Sequence, residues 1–197
     1  FSSLTNTTGS SNTAVGKDSL CLNQTGASNT AIGHSALKKN TASCNTAVGA
    51  STLVQNTSGC GNTAVGRQAL DANTTGDRNV AIGRDALGSN TTADYNTAVG
   101  SEAMELNTTG CCNVAVGHKA LDANTTADDN TAVGVCSLQA NTTGGSNTSV
   151  GAFSMKLNTT GAANVAVGTQ ALNVNTEGAS NVAVGYNSLC NNTTASN

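Results

Sequence analysis

Hydrophobic and polar positions follow one pattern that repeats through almost the whole chain. A unit of Asn, Thr or Val, Ala (Ser149 in one case), Val or Ile, and Gly begins at Asn12 and occurs eleven times, with its glycine running from Gly16 to Gly185. Successive units are 17 residues long, except that segment 40–45 is one residue short, which predicts a loop there. Positions in the repeat are numbered from 1, with Asn12 as the first residue at position 1.

This pattern predicts short strands joined by turns. Alternation in the first five positions indicates a strand in which positions 2 and 4 share one face and position 3 the other. A second short strand is expected around the Leu at position 9. Gly at positions 5 and 15 and Asn at positions 1 and 12 are expected to form the turns, because both residues tolerate positive φ. A unit of 17 residues is too short for a two-helix repeat. We therefore predict an all-β parallel β-solenoid (β-roll or β-helix) of eleven coils, with a left-handed path.

In a solenoid, residues at one repeat position form a column along the axis. Asn is invariant at positions 1 and 12, and stacked Asn side chains can form ladders of amide hydrogen bonds. The ladder predicted at position 1 comprises Asn12, Asn29, Asn45, Asn62, Asn79, Asn96, Asn113, Asn130, Asn147, Asn164 and Asn181. Positions 2, 4 and 9 are expected to face inward, which would leave the Ala of position 3 outward as a stripe for a neighbouring chain. The alternative is the inverted orientation, with Ala inward.

Composition restricts the class of protein. The chain has 22 Gly, no Pro, no Trp and 10 % charged residues, with a net charge of -3, so it lacks the basic surface of a nucleic-acid-binding protein. No apolar run reaches the length of a membrane span. We expect residues 1–197 to form a single solenoid domain, as a segment of a longer fibrous protein or a filament protomer. No capping segment is evident, and Asn197 is expected to begin a twelfth coil.

Catalytic chemistry finds little support in the sequence. His34 and His118 both occupy position 6, but five coils separate them, so they cannot share a metal ion or a catalytic triad. Gly residues follow the turn pattern and form no phosphate-binding loop. We therefore predict no catalytic residue, no metal site and no cofactor, and a protein that is not an enzyme.

Cysteine and Asn-x-Ser/Thr motifs suggest two kinds of covalent modification. Cys44 and Cys60 fall on neighbouring coils at positions 17 and 16, within reach of a disulfide, while the pairing of Cys21, Cys111, Cys112, Cys136 and Cys190 stays open. Glycosylation motifs fall mainly in the position 12 column, although glycans on every coil would crowd one another. The candidate glycosylation sites are Asn6, Asn23, Asn56, Asn73, Asn90, Asn107, Asn124, Asn141, Asn158 and Asn192.

The motif resembles that of known fibres. Asn-Val-Ala-Val-Gly at 113–117, 164–168 and 181–185, with the related Asn-Thr-Ala-Val-Gly, is similar to the head repeat of trimeric autotransporter adhesins. The longer unit, with Ala-Leu and Asn-Thr-Thr-Gly, resembles repeats in fibre proteins of phages and large viruses. These resemblances imply a β-roll, often with three chains side by side, that serves as a surface-exposed stalk or head.

We therefore expect a structural extracellular fibre or surface-adhesin segment that self-assembles through stacked β-coils. Its expected partners are copies of itself, end to end in a filament or side by side in a trimer, together with surface glycans or a host or cell-surface receptor. The expected location is extracellular, on a cell surface or a virion fibre. The alternative is an ice-binding β-solenoid with a Thr and Asn ladder face.

Overall fold

The computed structural model of the protein describes residues 8–196. Asn6, a glycosylation candidate, and Asn197, the expected start of a twelfth coil, lie outside the described residues. The described chain contains eleven three-residue strands, one in each coil. These strands are β1 (Thr13–Val15), β2 (Thr30–Ile32), β3 (Thr46–Val48), β4 (Thr63–Val65), β5 (Val80–Ile82), β6 (Thr97–Val99), β7 (Val114–Val116), β8 (Thr131–Val133), β9 (Thr148–Val150), β10 (Val165–Val167) and β11 (Val182–Val184).

The strands form one parallel sheet in sequence order, from β1 to β11. Each strand pairs with the equivalent residues of the next coil, so the predicted parallel β-solenoid is confirmed. Register continues across the short second coil, where Thr30 pairs with Thr46 and Ala31 with Ala47. The missing residue is therefore absorbed in the loop at 40–45, as predicted. At a spacing of about 4.8 Å between strands, eleven coils make a rod about 53 Å long.

Turns form at repeat positions that the sequence did not indicate. Gly at position 5 has positive φ, as predicted, for example 138° at Gly117. The other left-handed residues lie at positions 7, 9 and 17, whereas Asn at positions 1 and 12 and Gly at position 15 do not adopt positive φ. Leu87 at position 9 has a φ of 51°, so the predicted second strand around Leu is wrong, because a strand requires negative φ.

The core is built from Ala and Leu rather than from Val and Leu. The Ala column of position 3 is completely buried from Ala31 to Ala166, and the Leu column of position 9 from Leu20 to Leu172. The expectation that positions 2 and 4 face inward is therefore wrong, and the inverted orientation is the one observed. The buried Leu column therefore supplies most of the bulk of the core, and the strands contribute only small side chains, Ala in most coils and Ser149 in one.

Both Asn columns are buried, and both form ladders. At position 1, the backbone N–H of Asn79 donates to Oδ1 of Asn62 at 2.9 Å, and the same bond recurs in successive coils from Asn29 to Asn181. At position 12, Nδ2 of Asn73 donates to Oδ1 of Asn56 at 2.8 Å. The predicted Asn ladder is thus confirmed. It is accompanied by a second ladder next to it, since Asn62 and Asn73 both donate to the carbonyl of Gly76.

Candidate functional site: the strand face

The outward side chains of the eleven strands form a continuous surface, here called the strand face. It consists of the residues at positions 2 and 4 of every coil. Position 2 holds seven Thr and four Val, and position 4 holds nine Val and two Ile. All 22 residues are β-branched, and none carries a charge. All of them are half-buried or exposed: Ile32 and Ile82 are each 40 % exposed, and the Val residues in the two terminal strands are more exposed still.

The position 1 ladder explains why these residues point outward. Asn96 must face inward because its amide bonds to neighbouring coils are buried. Strand side chains alternate between faces, so Ala98 at position 3 also faces inward. Thr97 and Val99 are then forced onto the outer face. The Thr of position 2, expected to be inward, therefore belongs to the surface.

The strand face is flat and regular because each strand repeats the one before it. Successive side chains at one position lie about 4.8 Å apart along the rod, and the two ranks are separated by about 7 Å across it. Apolar patches of more than a few hundred Å² are uncommon on soluble monomers and mark interaction sites. This surface is therefore the strongest candidate functional site among the described residues.

Charged groups are concentrated on another side of the rod, at positions 6, 7 and 10. Arg84 contacts Asp85 and Glu102, and Lys119 lies 3.0 Å from Glu102 and 3.7 Å from Asp122. Hydrogen bonding to Lys119 lowers the pKa of Glu102.

Three carboxyl groups on this side have a raised pKa. Burial is the largest cause for Asp71, Glu105 and Asp122, and neighbouring carboxylates add to it. Ion pairs thus balance part of the charge on this side of the rod. Burial makes the charged form of the other three carboxyl groups less favourable.

The cysteines are partly or fully exposed, and none of them forms a disulfide among the described residues. Cys44 is exposed, and Cys60 on the next coil is half-buried; both are reduced in this structure, so the disulfide between them stays a prediction. Burial and a hydrogen bond with Asp77 raise the pKa of Cys60. A hydrogen bond with Cys112, followed by burial, raises the pKa of Cys111 to about 12. The adjacent thiols of Cys111 and Cys112 thus contact each other without forming a bridge.

Apart from Asn192, the glycosylation candidates among residues 8–196 lie inside the rod. Asn73 is completely buried, and its Nδ2 donates to Asn56 and to the carbonyl of Gly76. A glycan on that nitrogen would break both bonds and would not fit within the folded coil. The same burial applies to Asn23, Asn56, Asn90, Asn107, Asn124, Asn141 and Asn158, and Asn192 is half-buried in the last described coil.

Between residues 8 and 196, no three His, Cys, Asp or Glu side chains come together as a group that could hold a metal ion. Nowhere in that range is there a helix with the length and apolar character needed to cross a membrane. His118 places Nδ1 3.1 Å from the carbonyl oxygen of Ser101, on the surface.

Comparison with models of protein families, with curated proteins and with solved structures finds no match to this chain. The strand face must therefore be interpreted from its own chemistry.

Proposed function

We propose that this chain is a structural segment of an extracellular fibre or surface adhesin, which associates side by side with copies of itself through the strand face. The observation that carries the proposal is the composition of this face, with 22 outward β-branched side chains and no charge along eleven coils. Removing a surface of this kind from water is favourable, so it stabilises an association between two copies.

A second copy fits this face better than an unrelated protein does. The strand face is about 53 Å long and about 10 Å wide, which gives a footprint of about 500 Å² on each copy. Two copies would therefore bury about 1,000 Å², near the lower limit for a specific interface. Only a partner with the same spacing of about 4.8 Å keeps its side chains in step along the whole length.

Stacking of coils along the axis supports the same structural role. Leu172 is completely buried by the coil that follows it, whereas Leu189 in the last described coil is 48 % exposed. A further coil, from the same chain or from another copy, would cover Leu189 as each coil covers the one before. Solenoid stability of this type comes from contacts between neighbouring coils and grows with their number.

Stiffness and presentation are the properties that such a rod supplies. Continuous hydrogen bonding through the sheet and both Asn ladders resists bending, and the variable positions 6, 7, 10, 11, 16 and 17 are carried on the outside. We expect these positions to contact surface glycans or a receptor at a cell or virion surface.

Sedimentation velocity at several protein concentrations tests the side-by-side association. We expect the native chain to form oligomers, and the variant Val65→Lys/Val99→Lys/Val133→Lys to sediment as a monomer, because buried lysines would repel one another. The matched control is Gln139→Lys, at position 10, where Lys38 and Lys156 occur naturally. Equal sedimentation of the native chain and the triple variant would overturn the proposal.

Ice binding is a second candidate, favoured by the outward Thr of position 2. Seven Thr lie on a flat, regular surface beside a rank of methyl groups, an arrangement that can order water. The Asn ladders are buried and cannot contribute to an ice-binding face. Thermal hysteresis of the native chain tests this candidate, with Thr63→Lys/Thr97→Lys/Thr131→Lys as the comparison. Activity in the native chain that is lost in the variant would support it, and no activity in the native chain would exclude it.

A further inference from the structure

One coil departs from the other ten in its interior. In coil 147–163, Ser149 replaces the Ala of position 3 and Met155 replaces the Leu of position 9, a combination that occurs in no other coil. Ser149 is tied into a buried hydroxyl cluster, in which its Oγ accepts from Ser137 at 2.7 Å and donates to the carbonyl of Ser154 at 3.0 Å. The core of this coil therefore differs from that of the other coils in its side chains and in its buried hydrogen bonds.

The same coil carries an unusual surface residue. Phe153 occupies position 7, where the other ten coils have Asp, Ser, Gln, Glu, Lys, Cys or Asn. Its φ is 58°, as at position 7 of the other coils, and its side chain stays partly exposed rather than entering the core. Phe153 is therefore distinguished by its aromatic side chain and not by its backbone conformation.

Phe153 forms part of a shallow surface depression across coils 147–163 and 164–180. The depression has a volume of about 270 Å³, and Lys156, Leu157, Gln170 and Asn173 complete its lining. Leu157 is 43 % exposed, so the site combines an open apolar floor with two side-chain amides. Each amide can both donate and accept hydrogen bonds.

Lys156 supplies a positive charge at this site. Its Nζ lies 5.5 Å from the centroid of the Phe153 ring, which holds the ammonium group over the depression. Among residues 8–196, no carboxylate lies within ion-pair distance of Lys156, whereas Arg84 and Lys119 are both paired. The charge is thus available to an anionic ligand.

We propose that this depression binds a sugar residue that carries a carboxylate, as in an acidic polysaccharide or glycan. The apolar C–H face of the sugar ring would pack on Phe153 and Leu157, its hydroxyl groups would bond to Gln170 and Asn173, and its carboxylate would pair with Lys156. An open depression accommodates one ring of a longer chain whose other residues remain in solvent. This site lies away from the strand face and does not depend on side-by-side association.

Saturation-transfer NMR with the methyl glycosides of glucuronic acid and N-acetylneuraminic acid tests the proposal, with neutral methyl glucoside as a comparison. We expect transfer from the native chain to at least one acidic sugar and at least about tenfold weaker binding in Phe153→Gln and Lys156→Gln. Gln occurs naturally at both positions in other coils, as Gln170 and Gln139. The matched control Arg67→Gln removes an equal charge from another exposed site and should bind like the native chain.

Amide chemical shifts of the native chain give a test that requires no variant. Titration with the acidic sugar should shift the signals of Leu157, Gln170 and Asn173 more than those of the equivalent positions in coils 62–78 and 79–95. Binding to neither acidic sugar, shifts that lie elsewhere, or equal binding of the neutral sugar would each overturn the proposal.

Discussion

The backbone N–H of Asn96 donates to Oδ1 of Asn79, one coil earlier, at 2.9 Å, and Oδ1 of Asn96 accepts in turn from the N–H of Asn113 at 3.0 Å. Nδ2 of Asn96 donates across the coil to the carbonyl of Gly110 at 2.8 Å. One amide group thus joins neighbouring coils and closes its own coil, with no exposure to water.

Replacing this amide should destabilise the rod strongly. In Asn96→Ala, the buried N–H of Asn113 loses its acceptor, which costs about 1–3 kcal/mol, and a cavity adds to that cost. Urea unfolding followed by circular dichroism measures the change. The control Thr109→Ala alters an exposed side chain and should stay within about 0.5 kcal/mol of the native chain. Equal midpoints for the two variants would contradict a stabilising role for the ladder.

Two adjacent alanines should respond to glycine with opposite sign. Ala163 has a φ of 56°, which costs an L-residue about 1–2 kcal/mol, so Ala163→Gly should raise the free energy of unfolding. Ala162 does not have positive φ, and Ala162→Gly should lower the free energy of unfolding by about 0.5–1 kcal/mol through added freedom in the unfolded chain. Thermal unfolding of both variants in one buffer shows whether each raises or lowers the stability. A shift in the same direction for both would contradict a left-handed turn residue at position 17.

Glycine at position 5 should tolerate no side chain. A Cβ on Gly117 would lie 2.5 Å from the carbonyl oxygen of Gly134, at a φ of 138° that L-residues rarely adopt. We expect Gly117→Ala to lower the free energy of unfolding by several kcal/mol, whereas Gly88→Ala, without positive φ and with 3.3 Å to the nearest atom, should change it by no more than about 1 kcal/mol. Guanidinium unfolding distinguishes them, and a small effect at Gly117 would show that the coils are less closely stacked.

Stability should rise as the pH falls from about 7 towards the unfolded pKa values of about 4. The pKa values of Asp71, Glu105 and Asp122 are raised, so the folded chain binds protons more tightly than the unfolded chain over this range. Their stabilising effect is fully present below their unfolded pKa values of about 4 and is lost as the pH rises through the folded values. Glu102, whose pKa is lowered, loses its own contribution only at lower pH.

The double variant Asp71→Asn/Asp122→Asn isolates this effect. Its urea midpoint should change less between pH 7 and pH 4 than that of the native chain, and at pH 7 it should be the more stable of the two. Asn is acceptable at position 10, where Asn173 occurs naturally. If the urea midpoints of the two chains changed equally with pH, Asp71 and Asp122 would not be the source of the pH dependence.

Sequence periodicity was sufficient to predict the solenoid, the coil length, the loop at 40–45 and the Asn ladder. It predicted the wrong orientation for the strand side chains, because Val is more hydrophobic than Ala and was therefore assigned to the core. The decisive signal was present in the invariant Asn of position 1, since a buried Asn96 requires Ala98 to be inward and Val99 outward.

The turn positions with positive φ could not be predicted from residue type. Position 9 is nearly always Leu, a residue with no preference for positive φ, yet Leu87 and its equivalents occupy that region. Burial of the Leu side chain outweighs the local strain, so tertiary packing overrides intrinsic preference. The depression at Phe153 was also missed, although this residue is the only aromatic at position 7.

The central claim is that the rods associate side by side through the strand face, and electron cryomicroscopy of the purified chain tests it most directly. The account predicts two or more parallel rods, each about 53 Å long, with β-strands of neighbouring copies facing each other across a dry interface. Single rods with the strand face open to solvent, or pairs joined through the charged side at Arg84 and Lys119, would contradict it.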